Sequence, residues 1–309
     1  MPPWPATLPV RASLPSPQRN PEGFQTRLPQ RKVLKIRAHA AEADQETLMP
    51  TIDADGTPIN VEVEGPDAAP PVIFSNSLGT DLHMWDPQAA ALKDRFRVIR
   101  YDTRGHGRSG APAGPYSMER LGRDALKVLS ELGVLRAHWC GLSMGGMTGM
   151  WLARHAPEYI DRLVLANTAA KSATPDMWNT RIRTVNAKGM EAIADSVLGI
   201  WFTKSFHERA KETIARFRAT MVAIEPHGYV GCCAAIRDMD QRWDIGGIKA
   251  PTLVIAGKQD NATPVSAAEL IVSRIKGAKL KILDAAHISN VEQPPAFTDA
   301  VEKFLLKKS

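Results

Sequence analysis

The stretch Gly141-Leu142-Ser143-Met144-Gly145 sets a serine between two glycines in a G-x-S-x-G pattern. Arg136 to Cys140 reads as a short strand leading into it, and Met144 to His155 as a helix of small residues stopped by Pro157. Glycines at 141 and 145 carry no side chains, so strand and helix can pack closely around a sharp turn. Such a turn lifts the Ser143 hydroxyl to the tip of a sheet and aims a helix N-terminus at whatever it attacks. The chemistry this predicts is nucleophilic attack by Ser143.

A serine hydroxyl attacks well only when a base takes its proton. Of the eight histidines, His39 lies in a proline-rich N-terminal stretch, and His83, His106, His138 and His155 fall in the first half of the sheet-forming sequence. His207 and His227 fall in a helical region. Only His287, in Asp284-Ala285-Ala286-His287-Ile288, occupies a loop after a late strand, where a base can swing over the sheet's carboxyl edge. The acid that orients it is assigned to Asp260, in the turn Gly257-Lys258-Gln259-Asp260-Asn261. The turn one strand earlier, Ala166-Asn167-Thr168, has no carboxylate, and Asp284 reads as a surface residue. An oxyanion needs backbone donors: one from Met144 N–H, the other from the loop Asn76-Ser77-Leu78-Gly79-Thr80, with Leu78 N–H assigned and Ser77 N–H the alternative.

Elements that alternate between strand and helix must hold these groups. Ile59 to Val63, Pro71 to Ser75, Arg97 to Tyr101, Arg162 to Ala166, Thr252 to Ala256 and Lys279 to Leu283 read as further strands. Helices are predicted over Ser117 to Leu132, with Ser117 as N-cap and Gly133 as stop, and near Pro264 to Ile275 and Pro295 to Leu306. Thr263 is read as the cap of the Pro264 helix, with Pro264 at its first position. This order implies an α/β fold with a mainly parallel central sheet and helices on both faces. Between Lys171 and Lys249 strand signals vanish and four helical stretches appear, Trp178 to Ala187, Met190 to Val197, His207 to Met221 and Tyr229 to Met239. We read 171–249 as a helical cap inserted into a core of 49–170 and 250–309. The segment Asp102 to Ser109 reads as a structural turn tied by its own Asp and Arg, since it lacks phosphate-loop spacing.

Residues 1–48 differ from the rest. They hold eight prolines within the first 29 positions and no sustained apolar period, and are expected to be disordered and without a catalytic role, with Met49 a candidate natural start. The net charge of +6 divides evenly between this stretch and the remaining body, and no basic stripe with interleaved aromatics marks a nucleic-acid site. No apolar run reaches the ~20 residues of a membrane span. Cys140, Cys232 and Cys233 fit neither a disulfide framework nor a metal site, and are read as buried thiols of a cytoplasmic protein.

With these residues assigned, positions 50–309 resemble the α/β-hydrolase superfamily, whose serine, acid, histidine order they follow. Within it the chain looks like the 3-oxoadipate enol-lactonases of the β-ketoadipate pathway of aromatic breakdown. The matching stretches are Ser75 to Thr80, Cys140 to Gly146, Ala166 to Ala170, and above all Gly228-Tyr229-Val230-Gly231-Cys232-Cys233-Ala234-Ala235-Ile236-Arg237-Asp238-Met239-Asp240. The resemblance implies hydrolysis of a five-membered enol-lactone with a carboxymethyl arm, with no metal or organic cofactor. It implies a cationic or donor-rich pocket for the carboxylate, for which Ser77, Trp139, Arg181, Trp201 and Arg237 are candidates. A general esterase or a cofactor-free perhydrolase shares the same triad, and a ligand-binding receptor shares the fold. A haloalkane dehalogenase needs an aspartate where Ser143 stands.

Overall fold

The computed structural model describes residues 51–172 and 174–307. The expectation for residues 1–48 lies outside them. Among the described residues two strands, β1 (Thr51–Ala54) and β2 (Thr57–Glu64), come first as a hairpin, followed by β3 (Pro71–Ser75), α1 (Asp86–Leu92), β4 (Arg97–Tyr101) and α2 (Met118–Glu131). Then come β5 (Ala137–Leu142), α3 (Met144–His155) and β6 (Ile160–Ala166). Five helices precede the next strand: α4 (Pro175–Lys188), α5 (Glu191–Trp201), α6 (Lys204–Arg209), α7 (Lys211–Val222) and α8 (Pro226–Asp238). The chain closes with β7 (Thr252–Gly257), α9 (Val265–Arg274), β8 (Lys279–Leu283), α10 (Ser289–Glu292) and α11 (Pro294–Leu305).

The strands form one eight-stranded sheet in the order β1-β2-β4-β3-β5-β6-β7-β8. The β1–β2 and β2–β4 pairings are antiparallel and the rest parallel. Every residue of β5 and of β7 is buried, as central parallel strands covered on both faces require. On one side α3 packs on β3, β5 and β6 and against α2, while α1 and α11 pack on each other. The sequence accounts for the helix α2 in detail. Ser117 Oγ accepts the Arg120 N–H at 3.1 Å as N-cap, Leu121, Ala125, Val128 and Leu129 are buried on one face, and Gly133 follows at φ +67°. Among the described residues no helix is long and apolar enough to cross a membrane.

Two local expectations are corrected. The stretch His207 to Met221 is not one helix: α6 begins earlier, under a Thr203 cap on Phe206 N–H, and the chain turns at Ala210 before α7. A straight helix would hold Phe206 and Phe217 ~16 Å apart. Here both rings pack on Phe202, at centroid distances of 5.0 and 5.3 Å, which the bend permits. The Asp102 to Ser109 turn is only partly tied to itself. Asp102 Oδ2 accepts the Arg108 N–H at 2.9 Å, but its Oδ1 reaches Leu82 N–H at 2.7 Å and Arg104 pairs with Asp124 of α2.

Candidate active site

Ser143 stands between β5 and α3 with φ 55° and ψ −114°, a backbone conformation that costs a side-chain-bearing residue of order 1–3 kcal/mol. Neighbouring hydrogen bonds hold it there. Ser143 N–H donates to Ala166 O at 2.9 Å, Ser143 O accepts Thr168 Oγ1 at 2.7 Å, and Gly145 N–H donates to Asn76 O at 3.0 Å. The flanking glycines are steric necessities. A Cβ on Gly141 would lie 2.1 Å from Gly145 O, and one on Gly145 would lie 2.1 Å from Ser75 O. Helix and sheet could not then approach this closely.

Asp260 follows β7 and His287 follows β8, so the parallel topology brings both to the sheet edge that carries Ser143. His287 Nδ1 and Asp260 Oδ2 are 2.9 Å apart, and both side chains are buried. Asn167 Nδ2 at 3.0 Å and Thr263 Oγ1 at 2.7 Å also donate to Oδ2, while the N–H groups of Ala262 and Thr263 donate to Oδ1 at 2.8 and 2.9 Å. Burial alone would raise the Asp260 pKa. The charge and hydrogen bond of His287, with Asn167 and the Thr263 N–H, hold it instead at about 2. An ionised Asp260 can only accept, so the His287 ring proton sits on Nδ1 and Nε2 keeps its lone pair. Thr263 is thereby corrected: its hydroxyl is spent on Asp260, and Pro264, one residue later, is the N-cap of α9.

The histidine loop is fixed from both sides. Ala286 N–H donates to Glu292 Oε2 at 3.0 Å, and Ile288 N–H donates to Trp201 O at the end of α5 at 3.0 Å. Glu292 is buried and also accepts from the hydroxyl and, at 3.4 Å, the N–H of Thr203. A single carboxylate thus joins the loop bearing His287 to the α5–α6 junction.

Two backbone donors remain unspent nearby. In the loop after β3, Ser77 N–H is taken by Met84 Sδ at 3.4 Å and Gly79 N–H by His106 Nε2 at 3.0 Å. Leu78 N–H between them has no acceptor among the described residues, and the same holds for Met144 N–H at the start of α3. This arrangement favours Leu78 over Ser77 as a donor to a bound oxygen.

Ser143, His287, Ser77 and Leu78 line one cavity of about 170 Å³, roofed by side chains of α4, α5 and α8 that include Trp178, Trp201 and Tyr229. Among the described residues Arg181 is the one Lys or Arg on its wall, and neither Asp nor Glu lines it. The Arg181 guanidinium lies 5.2 Å from the Trp178 ring centroid and pairs with no carboxylate among the described residues. Of the candidates for substrate contact, Ser77, Arg181 and Trp201 therefore face the cavity. Trp139 does not: it is wholly buried beneath the turn at Ser143, its Nε1–H donating to Gly145 O at 3.1 Å. Arg237 is also outside the lining, held by Asp238 at 2.7 Å and Asn179 at 2.9 Å. The sequence does not mark the roles of Asn167, Thr263 and Glu292 beside Asp260 and His287; the only signal for them is the polar composition of the turns after β6 and β7 and of α10.

Residues 70–294 match the family model described as alpha/beta hydrolase fold. Among curated proteins, 3-oxoadipate enol-lactonase 2 of Acinetobacter baylyi is 42% identical over 252 residues, covering 82% of this chain and 94% of its own length. 3-Oxoadipate enol-lactonase 1 of the same organism is 37% identical, covering 81% and 94%. Among solved structures, the enol-lactonase from Burkholderia xenovorans LB400 superimposes with a TM-score of 0.83 at 44% identity, over 84% of this chain and 100% of that one. The chain belongs to the α/β-hydrolase family, as a relative of its 3-oxoadipate enol-lactonases.

Proposed function

We propose that this protein opens 3-oxoadipate enol-lactone, a five-membered enol-lactone with a carboxymethyl arm, to 3-oxoadipate through a Ser143 acyl-enzyme. Arg181 carries this reading. A cation that has no carboxylate partner among the described residues, on the wall above Ser143 and His287, suits a substrate that is both a lactone and an anion. The names of the relatives point to the same substrate.

In this mechanism His287 Nε2 takes the Ser143 proton as Oγ bonds to the lactone carbonyl carbon, and Asp260 stabilises the imidazolium that forms. The negative charge on the carbonyl oxygen is met by the N–H groups of Leu78 and Met144. Collapse breaks the bond from acyl carbon to ring oxygen and releases an enolate that stays tethered within the acyl-enzyme. The imidazolium of His287 returns its proton to the enolate, which becomes a ketone, and His287 is again free to act as a base. Water, deprotonated by His287, then attacks the acyl carbon, and Ser143 leaves with its proton restored. One water is consumed per lactone, and the helices of 171–249 act as a cap that keeps other water away.

The test is a panel comparing the carboxylated enol-lactone with neutral lactones and simple esters, followed by loss of the conjugated ultraviolet absorbance. The carboxylated lactone should give the highest kcat/KM, and Arg181→Met should raise its KM at least about tenfold while leaving neutral esters unchanged. Equal turnover of neutral and carboxylated substrates, unaffected by Arg181→Met, would make the protein a general esterase instead.

A further inference from the structure

We propose that His106 is a positioning residue for the oxyanion site: its Nε2 holds the peptide after Leu78 so that the Leu78 N–H points at the reacting oxygen. The inference rests on the reading of Leu78 N–H as an oxyanion donor, and it follows from how the two peptide planes around Leu78 are pinned.

The N–H of Leu78 and the carbonyl of Ser77 belong to one planar trans peptide and point in opposite directions. Ser77 O accepts the Thr80 N–H at 3.3 Å and the Thr80 hydroxyl at 2.9 Å. Those two bonds turn Ser77 O toward Thr80 and the Leu78 N–H away from it. The next plane holds Gly79 N–H, which donates to His106 Nε2 at 3.0 Å. With both planes fixed, Leu78 has little freedom in φ or ψ. Among the described residues the anchor on the second plane comes from His106 alone, 27 residues downstream.

His106 is suited to accept rather than donate. Gly79 N–H requires a lone pair on Nε2, so the ring proton sits on Nδ1, where Arg104 O lies 3.3 Å away. Burial pushes the His106 imidazole down to about 4, which keeps it neutral through the physiological range. Its turn is rigid. Arg104 is locked bidentately on Asp124, His106 N–H donates to Thr103 O at 2.9 Å, and Gly105 is pressed against Gly228 of α8, where an added Cβ would lie 2.4 Å from the Gly228 Cα. The glycine and histidine of Asp102 to Ser109 thus have a task that a free-standing turn would not require.

The experiment compares His106→Asn with His106→Gln. An Asn amide occupies the place of Nδ1 and keeps the donor to Arg104 O, but it offers Gly79 N–H nothing; a Gln amide reaches the place of Nε2 and can accept. Turnover is measured on p-nitrophenyl acetate as well as the enol-lactone, alongside melting temperature and inhibition by an alkyl phosphonate that mimics the tetrahedral intermediate. His106→Asn should lower kcat about tenfold or more with KM within about twofold, and weaken the phosphonate in parallel, because an oxyanion contact acts on the transition state. His106→Gln should recover most of the loss. Equal kcat in the two variants, or a loss that tracks melting temperature and raises KM alike, overturns the proposal. Failure of the enol-lactone as a substrate would remove the lactonase reading and leave the His106 test to be read on the ester. Undiminished ester turnover in Ser143→Ala would remove the oxyanion reading and this inference with it.

Discussion

Asn167 Nδ2 donates to Asp260 Oδ2 at 3.0 Å from the turn after β6, one strand before the strand that delivers the acid. The same amide donates to Ala286 O at 3.1 Å, and its Oδ1 accepts the Ser289 hydroxyl at 2.5 Å. One side chain therefore touches the acid's turn and the histidine's loop together. Its backbone is at φ 43°, a conformation that Asn and Asp tolerate and branched or bulky residues do not.

That backbone makes Asn167→Asp the cleaner test. The new carboxylate would face Asp260 at hydrogen-bond distance, replacing attraction with like-charge repulsion and opposing ionisation of Asp260. At pH 7, kcat should fall to a level between wild type and the roughly 10⁴-fold loss expected for Asp260→Asn. Steady-state kinetics with a melting curve decide the matter; unchanged kcat would show that Asp260 does not depend on this neighbour.

Removing the nucleophile gives the largest effect. Ser143→Ala should cut kcat by roughly 10⁶, and Asp260→Asn by roughly 10⁴ if the acid holds the histidine tautomer and stabilises its cation. Burst experiments on an activated ester would show no acyl-enzyme in Ser143→Ala. Near-normal turnover in either variant would take that residue out of its role.

The parts of this site legible in the sequence are those where chain order and chemistry coincide. Ser143 was marked by its glycines, and Asp260 and His287 by standing after late strands; parallel pairing brings strand ends to one edge whatever lies between. Residues defined by which way a side chain turns were not legible. Trp139 and Trp201 are both tryptophans with a free donor in the sequence, yet one lies in β5 under the serine and the other ends α5 in the cavity wall. Arg181 and Arg237 both belong to the helices between β6 and β7, and only packing of α4 against α8 separates the one that faces the cavity. Thr263 looked like a helix cap because Thr before Pro is one, and the nearby carboxylate claimed its hydroxyl instead.

Stability should depend on pH through buried neutral imidazoles. His106 titrates near 4 in the folded protein and His138 is also lowered by burial, whereas an unfolded histidine titrates at about 6.5. Between pH 6.5 and 4 the unfolded chain binds more protons, so stability falls as pH falls through that window, by roughly 3 kcal/mol for His106 alone. His83, partly exposed and raised by its hydrogen bond to Asp86, works weakly in the opposite sense. Below pH 4 the depressed carboxyl of Asp260 continues the loss toward pH 2, since its contribution is complete only above the unfolded value of about 3.9. Melting temperatures at pH 7, 5.5 and 4.5 should decline progressively, and His106→Gln should flatten the decline. A constant melting temperature over that range would contradict the buried neutral state of His106.

Glu292 offers a way to loosen the base without touching it. Its oxygens accept the Ala286 N–H, the Thr203 N–H and the Thr203 hydroxyl, and Thr203 in turn caps α6 through Phe206 N–H. Glu292→Gln keeps an oxygen for the two N–H groups and turns an NH₂ toward a hydroxyl that can also accept, so its cost should stay near 1 kcal/mol. Glu292→Ala strands all three donors, at about 1–3 kcal/mol for each that water cannot reach. Because one of them is the amide next to His287, kcat should fall along with stability in the Ala variant, by about tenfold, while Gln stays within a few-fold of wild type. Melting temperature and kcat measured on both variants separate the possibilities: a Glu292→Ala protein that melts early yet turns over normally would mean that the position of His287 does not depend on Glu292.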